Sequence, residues 1–187
     1  YYKYSDQDVI NFFSKIIDEI IECKIILYNF EKLSGYKFSI DCVEKLAKKF
    51  PKQIIGVKDS SYNLYENLKI DNFSVMPGSE LKLLKALELG CSGIITATTN
   101  VTSILARDVY EKFKKNSKQV SNEKLCLVRS LFDKYNLISA LHTFMSQVDN
   151  DFLNLLPPLK LLSESEKLMF FNELQKLDFD FNHLRAA

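Results

Sequence analysis

Lys58 closes an apolar run, Ile54-Ile55-Gly56-Val57, and is followed by Asp59-Ser60-Ser61. A strand covered on both faces is apolar throughout, so a lysine at its end has two readings. It can snorkel to solvent on its own methylenes. Alternatively, burial disfavours the ammonium and leaves a neutral amine, the form that attacks a ketone or aldehyde to make a Schiff base. Such chemistry needs a proton relay beside the amine, because a carbinolamine is built and broken by repeated proton transfers. A phenol can supply it, and Tyr28-Asn29 ends an earlier apolar run, Ile25-Ile26-Leu27. Taken alone, Tyr28 also fits a packing residue with a wet hydroxyl. Gly78-Ser79-Glu80 and Thr96-Ala97-Thr98-Thr99-Asn100 follow two further strand-like runs. Their hydroxyls and carboxylate could hold a ligand or cap the helices that come next.

These groups meet only if the elements before them stand side by side. Apolar runs of strand length, Ile25–Tyr28, Ile54–Val57, Phe73–Met76 and Gly93–Ala97, alternate with helical patterns. Ser5 and Asp6 are placed to cap a helix running to about Ile21. Asp41 to Phe50 is helical up to Pro51. Asn63 to Leu68 is a short helix or turn, and Glu80 to Leu89 is a helix closed by Gly90. Strand starts fall about 20 to 30 residues apart, the size of a βαβ unit. The pattern predicts an α/β fold with a parallel sheet, doubly wound or closed as a barrel, whose functional residues collect at the carboxyl ends of the strands. After Asn100 only helical periodicity continues: Ser103–Lys115, Asn122–Tyr135, Leu137–Val148 and Ser163–Leu177. Ser163 and Glu166 form a capping-box pair, Pro157-Pro158 marks an irregular crossing, and a frayed tail follows Phe179.

Composition narrows the class. The 187 residues carry a net charge of +1 with both signs interleaved, which speaks against a nucleic-acid or membrane surface. Lys112, Lys114, Lys115 and Lys118 form a solvated helix face. The four cysteines, Cys23, Cys42, Cys91 and Cys126, contain no CxxC pair and read as reduced thiols of a cytoplasmic protein. His142 and His183 are the only histidines, so no metal is expected. Neither a membrane span nor a signal peptide is apparent. The start at Tyr1-Tyr2-Lys3-Tyr4 is abrupt and leads us to expect the latter part of a longer chain.

Five segments, in order and spacing, carry a family resemblance. Tyr28-Asn29-Phe30-Glu31-Lys32-Leu33-Ser34-Gly35 resembles the YNxPxx(T/S)G motif of the dihydrodipicolinate synthase / N-acetylneuraminate lyase family. Gly56-Val57-Lys58-Asp59-Ser60-Ser61 is similar to its Schiff-base strand, Gly78-Ser79-Glu80 to its G-(D/S)-(D/E) turn, and Gly90 to Thr96 with Asn100 to its last barrel strand. Tyr1-Tyr2 is similar to its PYY turn. The resemblance runs from Tyr1 to about Leu177. It implies a class I aldolase or lyase in which Lys58 attacks the C2 ketone of pyruvate or of a 2-keto-3-deoxy acid. Tyr28 would shuttle protons, and Tyr2 would join the relay or a subunit contact. Gly78, Ser79, Glu80, the Ile95 carbonyl and the Thr96 hydroxyl would line the substrate site. No cofactor is implied beyond the covalent adduct. The partners implied are pyruvate and an aldehyde, in a homodimer or homotetramer of the full-length form.

The resemblance also implies a partial (β/α)8 barrel. Residues 1–100 would be its second half, with about four parallel strands, and residues 101–187 the last barrel helix and a C-terminal helical extension. A complete barrel takes about 250 residues. Nothing here matches the family's GTTGE-like loop, which holds the pyruvate carboxylate, so the isolated chain is expected to be inactive or nearly so. Leu33 stands where synthases of the family usually place an arginine, and it cannot grip a carboxylate. Glu31 replaces the motif proline. Leu33-Ser34-Gly35 is closer to the sialic-acid lyase form. Thr98-Thr99-Asn100 looks more like the synthase, and Val57-Lys58-Asp59-Ser60 is similar to keto-deoxy-gluconate aldolases. A sugar-acid aldolase or lyase is the first expectation and 4-hydroxy-tetrahydrodipicolinate synthase the second. A non-catalytic barrel-derived binding protein is the third.

Overall fold

The structure, a computed structural model, describes residues 2–181. Tyr1 and His183 lie outside the described residues, as does most of the tail expected after Phe179. The chain divides into two compact units, residues 1–95 and 96–187.

The first unit opens with α1 (Asp6–Glu19). Ser5 caps it in a reciprocal capping box with Asp8, the position expected from its small polar side chain before an apolar periodic run. Strand β1 (Ile25–Asn29) follows, then a single helical turn, α2 (Glu31–Ser34), closed by Gly35 in the left-handed conformation at φ 69°. Helix α3 (Ile40–Lys49) is capped by Ser39 and ends before Pro51. Strands β2 (Ile54–Asp59) and β3 (Ser74–Pro77) complete a parallel sheet in the order β1-β2-β3. Asn63 to Leu68 is turn rather than helix. A 3-10 turn (Glu80–Lys82) leads into α4 (Leu83–Glu88).

Two residues set the spacing between β2 and β3. A Cβ on Gly56 would sit 2.6 Å from the main-chain oxygen of Ser74, and one on Gly78 would sit 2.2 Å from Ser60 Oγ. Glycine at both places lets the neighbouring strand and turn approach. The two faces of the sheet differ. Leu27, Val57 and Val75 are buried in a core with Ile10 and Ile17 of α1, Cys42, Val43 and Leu46 of α3, Leu64, Leu68 and Ala86. Ile26 and Tyr28, on the opposite face of β1, are 44% and 45% exposed.

The fourth expected strand, Gly93–Ala97, is a correction: the sheet has three strands among the described residues. The segment does run along β3, because Ser92 donates to the Val75 carbonyl at 3.0 Å and Ile95 to the Pro77 carbonyl at 3.2 Å. Those donors are three residues apart while their acceptors are two apart. A parallel ladder requires even spacing, and the extra residue falls at Gly93, whose φ of 146° breaks the extended run.

The second unit is helical. Its members are α5 (Thr99–Lys114), α6 (Asn122–Phe132), α7 (Leu137–Met145) and α8 (Glu164–Lys176). Helix α5 starts four residues before the expected Ser103, and α6 and α7 end three residues short of Tyr135 and Val148. Phe132, Phe144 and Phe170 are fully buried at its centre. Phe132 meets the other two edge-on, with ring centroids 6.0 and 5.0 Å apart. The capping box of Ser163 and Glu166 is present at the start of α8. No described helix is long and apolar enough to cross a membrane.

Candidate active site

Parallel pairing sets Tyr28 opposite Lys58 and Lys58 opposite Met76. One residue on, Asn29 stands opposite Asp59 and Asp59 opposite Pro77. Neighbours across a sheet point to the same side and successive residues to opposite sides. Tyr28 and Lys58 therefore share the open face, while Asn29 and Asp59 share the buried one. The Lys58 Nζ lies 4.1 Å from the centroid of the Tyr28 ring, well inside the range in which an ammonium is held by an aromatic face. The lysine thus rests against the phenol that the sequence pairs with it.

Beneath this pair sits a polar cluster built on two fully buried side chains. Asn29 and Asp59 are both 0% exposed. Asn29 Nδ2 donates to Asp59 Oδ1 at 2.8 Å and to Asn63 Oδ1 at 2.9 Å. Asn29 Oδ1 accepts from the Phe38 amide at 3.1 Å, and Asn63 Nδ2 donates to the Phe38 carbonyl at 2.9 Å. Asp59 also accepts from the amides of Tyr62, Leu64 and Tyr65 at 2.9, 2.8 and 3.0 Å. It holds the chain through Tyr62, whose φ of 58° costs a non-glycine residue about 1 kcal/mol or more. Each residue of Lys58-Asp59-Ser60-Ser61 has its own contact. Ser60 and Ser61 amides donate to the Asn29 carbonyl at 2.9 and 3.2 Å, and Ser61 Oγ accepts from the Glu31 amide at 3.0 Å. The loop after β2 is thereby tied to the loop after β1.

The remaining expected residues divide. Gly78 donates its amide to the Asp59 carbonyl at 3.0 Å and packs against Ser60, so it belongs to the same rim. Ile95 is docked on Pro77 through its amide. Ser79 is buried, and its hydroxyl caps the 3-10 turn by accepting from the Leu81 amide at 3.3 Å. Glu80 is fully buried. Tyr2 is 70% exposed. Thr96 falls in the second unit, where its hydroxyl accepts from the Thr99 amide at 3.1 Å at the start of α5. Sequence reasoning places Asn29 and Asp59 at the strand ends without giving them a role, and it misses Asn63 as their partner. Asn and Asp are ordinary turn residues, so their types alone carry no signal of a buried cluster.

A cleft of about 710 Å³ is bordered by Tyr28 and lined among others by Lys3, Phe12, Phe13, Tyr36 and Phe38. At its wall Tyr36 donates to Asp6 Oδ1 at 2.7 Å, and Ser39 donates to Asp6 Oδ2. These two donors, Ser39 foremost, hold the Asp6 carboxyl below its ordinary value. Burial, with hydrogen bonds to Cys42 and Asp6, pushes the Tyr36 phenol well above its own. Burial likewise raises the Cys42 thiol. Tyr36 is thus held as a neutral donor, while Tyr28 is 45% exposed. Among the described residues no group of three His, Cys, Asp or Glu side chains gathers to hold a metal ion.

A three-stranded parallel sheet flanked by helices, with a lysine and a tyrosine side by side at its carboxyl rim, places the chain among α/β proteins. Residues 1–177 match the model of the dihydrodipicolinate synthetase family, and the chain belongs to that family. It is 32% identical over 174 residues to a 4-hydroxy-tetrahydrodipicolinate synthase of Methanopyrus kandleri, covering 88% of this chain and 57% of the relative. It is 28% identical over 159 residues to a 2-dehydro-3-deoxy-D-gluconate/2-dehydro-3-deoxy-phosphogluconate aldolase of Picrophilus torridus, covering 80% and 58%. The structure of an N-acetylneuraminate lyase from Fusobacterium nucleatum superposes with a TM-score of 0.81 at 22% identity, over 95% of this chain and 62% of that one. The chain thus spans less than two thirds of the length of these relatives.

Proposed function

We propose that the chain is the Schiff-base-forming part of a class I aldolase or lyase acting on pyruvate and 2-keto-3-deoxy sugar acids. The observation that carries this reading is the Lys58 Nζ resting 4.1 Å from the Tyr28 ring on the open face of the sheet. Once its ammonium has given its proton to solvent, Lys58 attacks C2 of the keto acid. Tyr28 delivers the proton that lets the carbinolamine lose water. The resulting iminium draws electrons from C3, so loss of a C3 proton gives an enamine that adds to an aldehyde. In the reverse direction the C3–C4 bond breaks and the aldehyde leaves. The electron sink is the lysine adduct itself, and the scheme uses no cofactor. Gly78 and Ile95 stand on the same rim as candidates to border the pyruvyl group. Tyr2, Ser79, Glu80 and Thr96 stay proposals for substrate contact or relay.

Sugar-acid cleavage is favoured over dipicolinate synthesis by charge. Residues 1–95 contain no arginine, and Leu33 is 76% exposed where a guanidinium would serve a second carboxylate. The synthase reading is kept because the Methanopyrus relative carries that name.

The half-exposed Ile26–Tyr28 face supports a second half of a (β/α)8 barrel that is completed by further strands, since parallel sheets are normally covered on both sides. The working form is then a cytoplasmic homo-oligomer, dimer or tetramer, and the 187-residue chain alone is inactive or nearly so. Borohydride trapping with pyruvate tests the reading. A reduced pyruvyl adduct mapped to Lys58 in the full-length protein, absent in Lys58→Ala, is the expected result. No adduct on any lysine would overturn it in favour of a non-catalytic binding protein.

A further inference from the structure

We infer that Asn29 and Asp59 are positioning residues whose buried pairing sets the contact between Tyr28 and Lys58 on the other face of the sheet. The argument starts from register. Tyr28 pairs with Lys58 and Asn29 with Asp59, and a slip of one residue would send each side chain to the opposite face. The open face has little to prevent such a slip, since Tyr28 is 45% exposed and its contact with Lys58 is one ring against one flexible chain. The buried face has a great deal. Asp59 accepts four hydrogen bonds, from Asn29 Nδ2 and the amides of Tyr62, Leu64 and Tyr65. Asn29 spends its remaining capacity on Phe38 and Asn63. Both side chains are sealed from water, so any shift that breaks the cluster leaves buried polar groups unpaired.

Only the native register satisfies every member. An aspartate at 59 is needed because all four partners are donors. An asparagine at 29 is needed because it must donate to Asp59 and Asn63 while accepting from Phe38. These assignments follow from the partners, whose amide hydrogens cannot be reversed. The cluster also holds the loops that leave both strands, through Phe38 on one side and Tyr62 to Tyr65 on the other. Tyr28 and Lys58 are thus each one residue from an anchor. For a nucleophile and its proton relay, misplacement by about 1 Å can slow reaction about 100-fold.

The catalytic consequence rests on the Schiff-base reading; the positioning itself does not, and the experiment separates them. Lysine labelled with carbon-13 at the ε position reports the ring directly, since protons over an aromatic face are displaced upfield. In the full-length protein one ε-methylene signal, lost in Lys58→Arg, is expected upfield of all other lysines and to return among them in Tyr28→Leu. In Asp59→Asn, which keeps shape but points an amide at donors, the displacement is expected to fall by more than half while the circular-dichroism spectrum stays folded. Asn29→Leu is expected to do the same. In the Tyr28→Leu background neither change should move the Lys58 signal further. If both single variants fail to fold, Asn63→Ala, which removes only the outer bridge, is expected to reduce the displacement in a folded protein.

A folded Asp59→Asn or Asn63→Ala with the wild-type displacement would overturn the inference, and so would an undisplaced Lys58 in the wild type. The paired readout is the pyruvate trapping rate. Asp59→Asn is expected to slow it about 10 to 100-fold at saturating pyruvate, with the half-saturating concentration changed less than about threefold. Absence of trapping in the wild type would sink the functional reading and leave the ring-current result to decide the positioning.

Discussion

Alternate residues of the same three strands build two unlike surfaces. Leu27, Val57 and Val75 belong to the core under α1 and α3, and Asn29 and Asp59 are buried on the same side. Ile26, Tyr28, Lys58 and Met76 lie on the other, where Ile26 and Tyr28 remain nearly half exposed. On the buried face the side chains of Asn29 and Asp59 are sealed from water and hydrogen-bonded. The open face holds a cation against a ring with room around both. Rigidity and reactivity are thereby separated by a single residue step along β1 and β2. Stability should respond to changes on the buried face and little to changes on the open one, while chemistry responds to the open face directly and to the buried Asn29 and Asp59 only through the placement of Tyr28 and Lys58.

The largest expected effect tests that division. Lys58→Ala should abolish pyruvate trapping in the full-length protein while changing stability by no more than about 0.5 kcal/mol. A loss of several degrees in melting temperature would show that the open face also carries stability and break the comparison. In the 187-residue chain by itself, Leu27→Ala on the buried face should cost about 2–5 kcal/mol by urea denaturation, against about 0.5 kcal/mol for Ile26→Ala one residue away. Equal costs at the two positions would mean that something covers Ile26.

Gly56→Ala probes the spacing of β2 and β3. Its methyl group would lie 2.6 Å from the Ser74 carbonyl oxygen, and the strands must separate at a cost of about 1–3 kcal/mol. An unchanged melting curve would refute the close approach.

The smallest effect is one of pH. Hydrogen bonds from Ser39 and Tyr36 hold the Asp6 carboxyl below its ordinary value. In the unfolded chain that carboxyl takes up its proton first as pH falls. Its stabilising contribution is therefore complete above the ordinary value of about 3.9 and is lost as pH drops through the lower folded one. Asp6→Asn should flatten the loss of stability below about pH 4, as read by acid-induced unfolding. An identical acid limb would count against the contribution of Asp6.

Much of the architecture was legible because it depends on local rules. Ser5 and Ser163 cap helices where a small polar residue precedes an apolar periodic run, while the cap of α3 is Ser39, two residues before the expected start at Asp41. The three strands fall on the three apolar runs that precede Tyr28-Asn29, Lys58-Asp59 and Pro77-Gly78. Gly93–Ala97 has the composition of a strand, yet the extra residue at Gly93 breaks the ladder, and pairing register is not a local property. Ser79 suits capping and ligand binding alike by residue type; its hydroxyl caps the turn it begins.

By itself the sequence determined which residues can do chemistry, the order of elements that present them, and the family to which the chain belongs. A lysine and a tyrosine after two apolar runs allow a Schiff-base nucleophile and its relay as one of two readings, and the five family motifs in order favour it. Only the tertiary structure decided that Tyr28 and Lys58 are direct neighbours, that Asn29 and Asp59 meet beneath them, and that Gly78 is needed for the close approach of Ser60. Those are cross-strand facts. They depend on which residues of distant segments fall in register, and that register is selected by the apolar face that must be buried together with the hydrogen bonds that buried polar groups must keep.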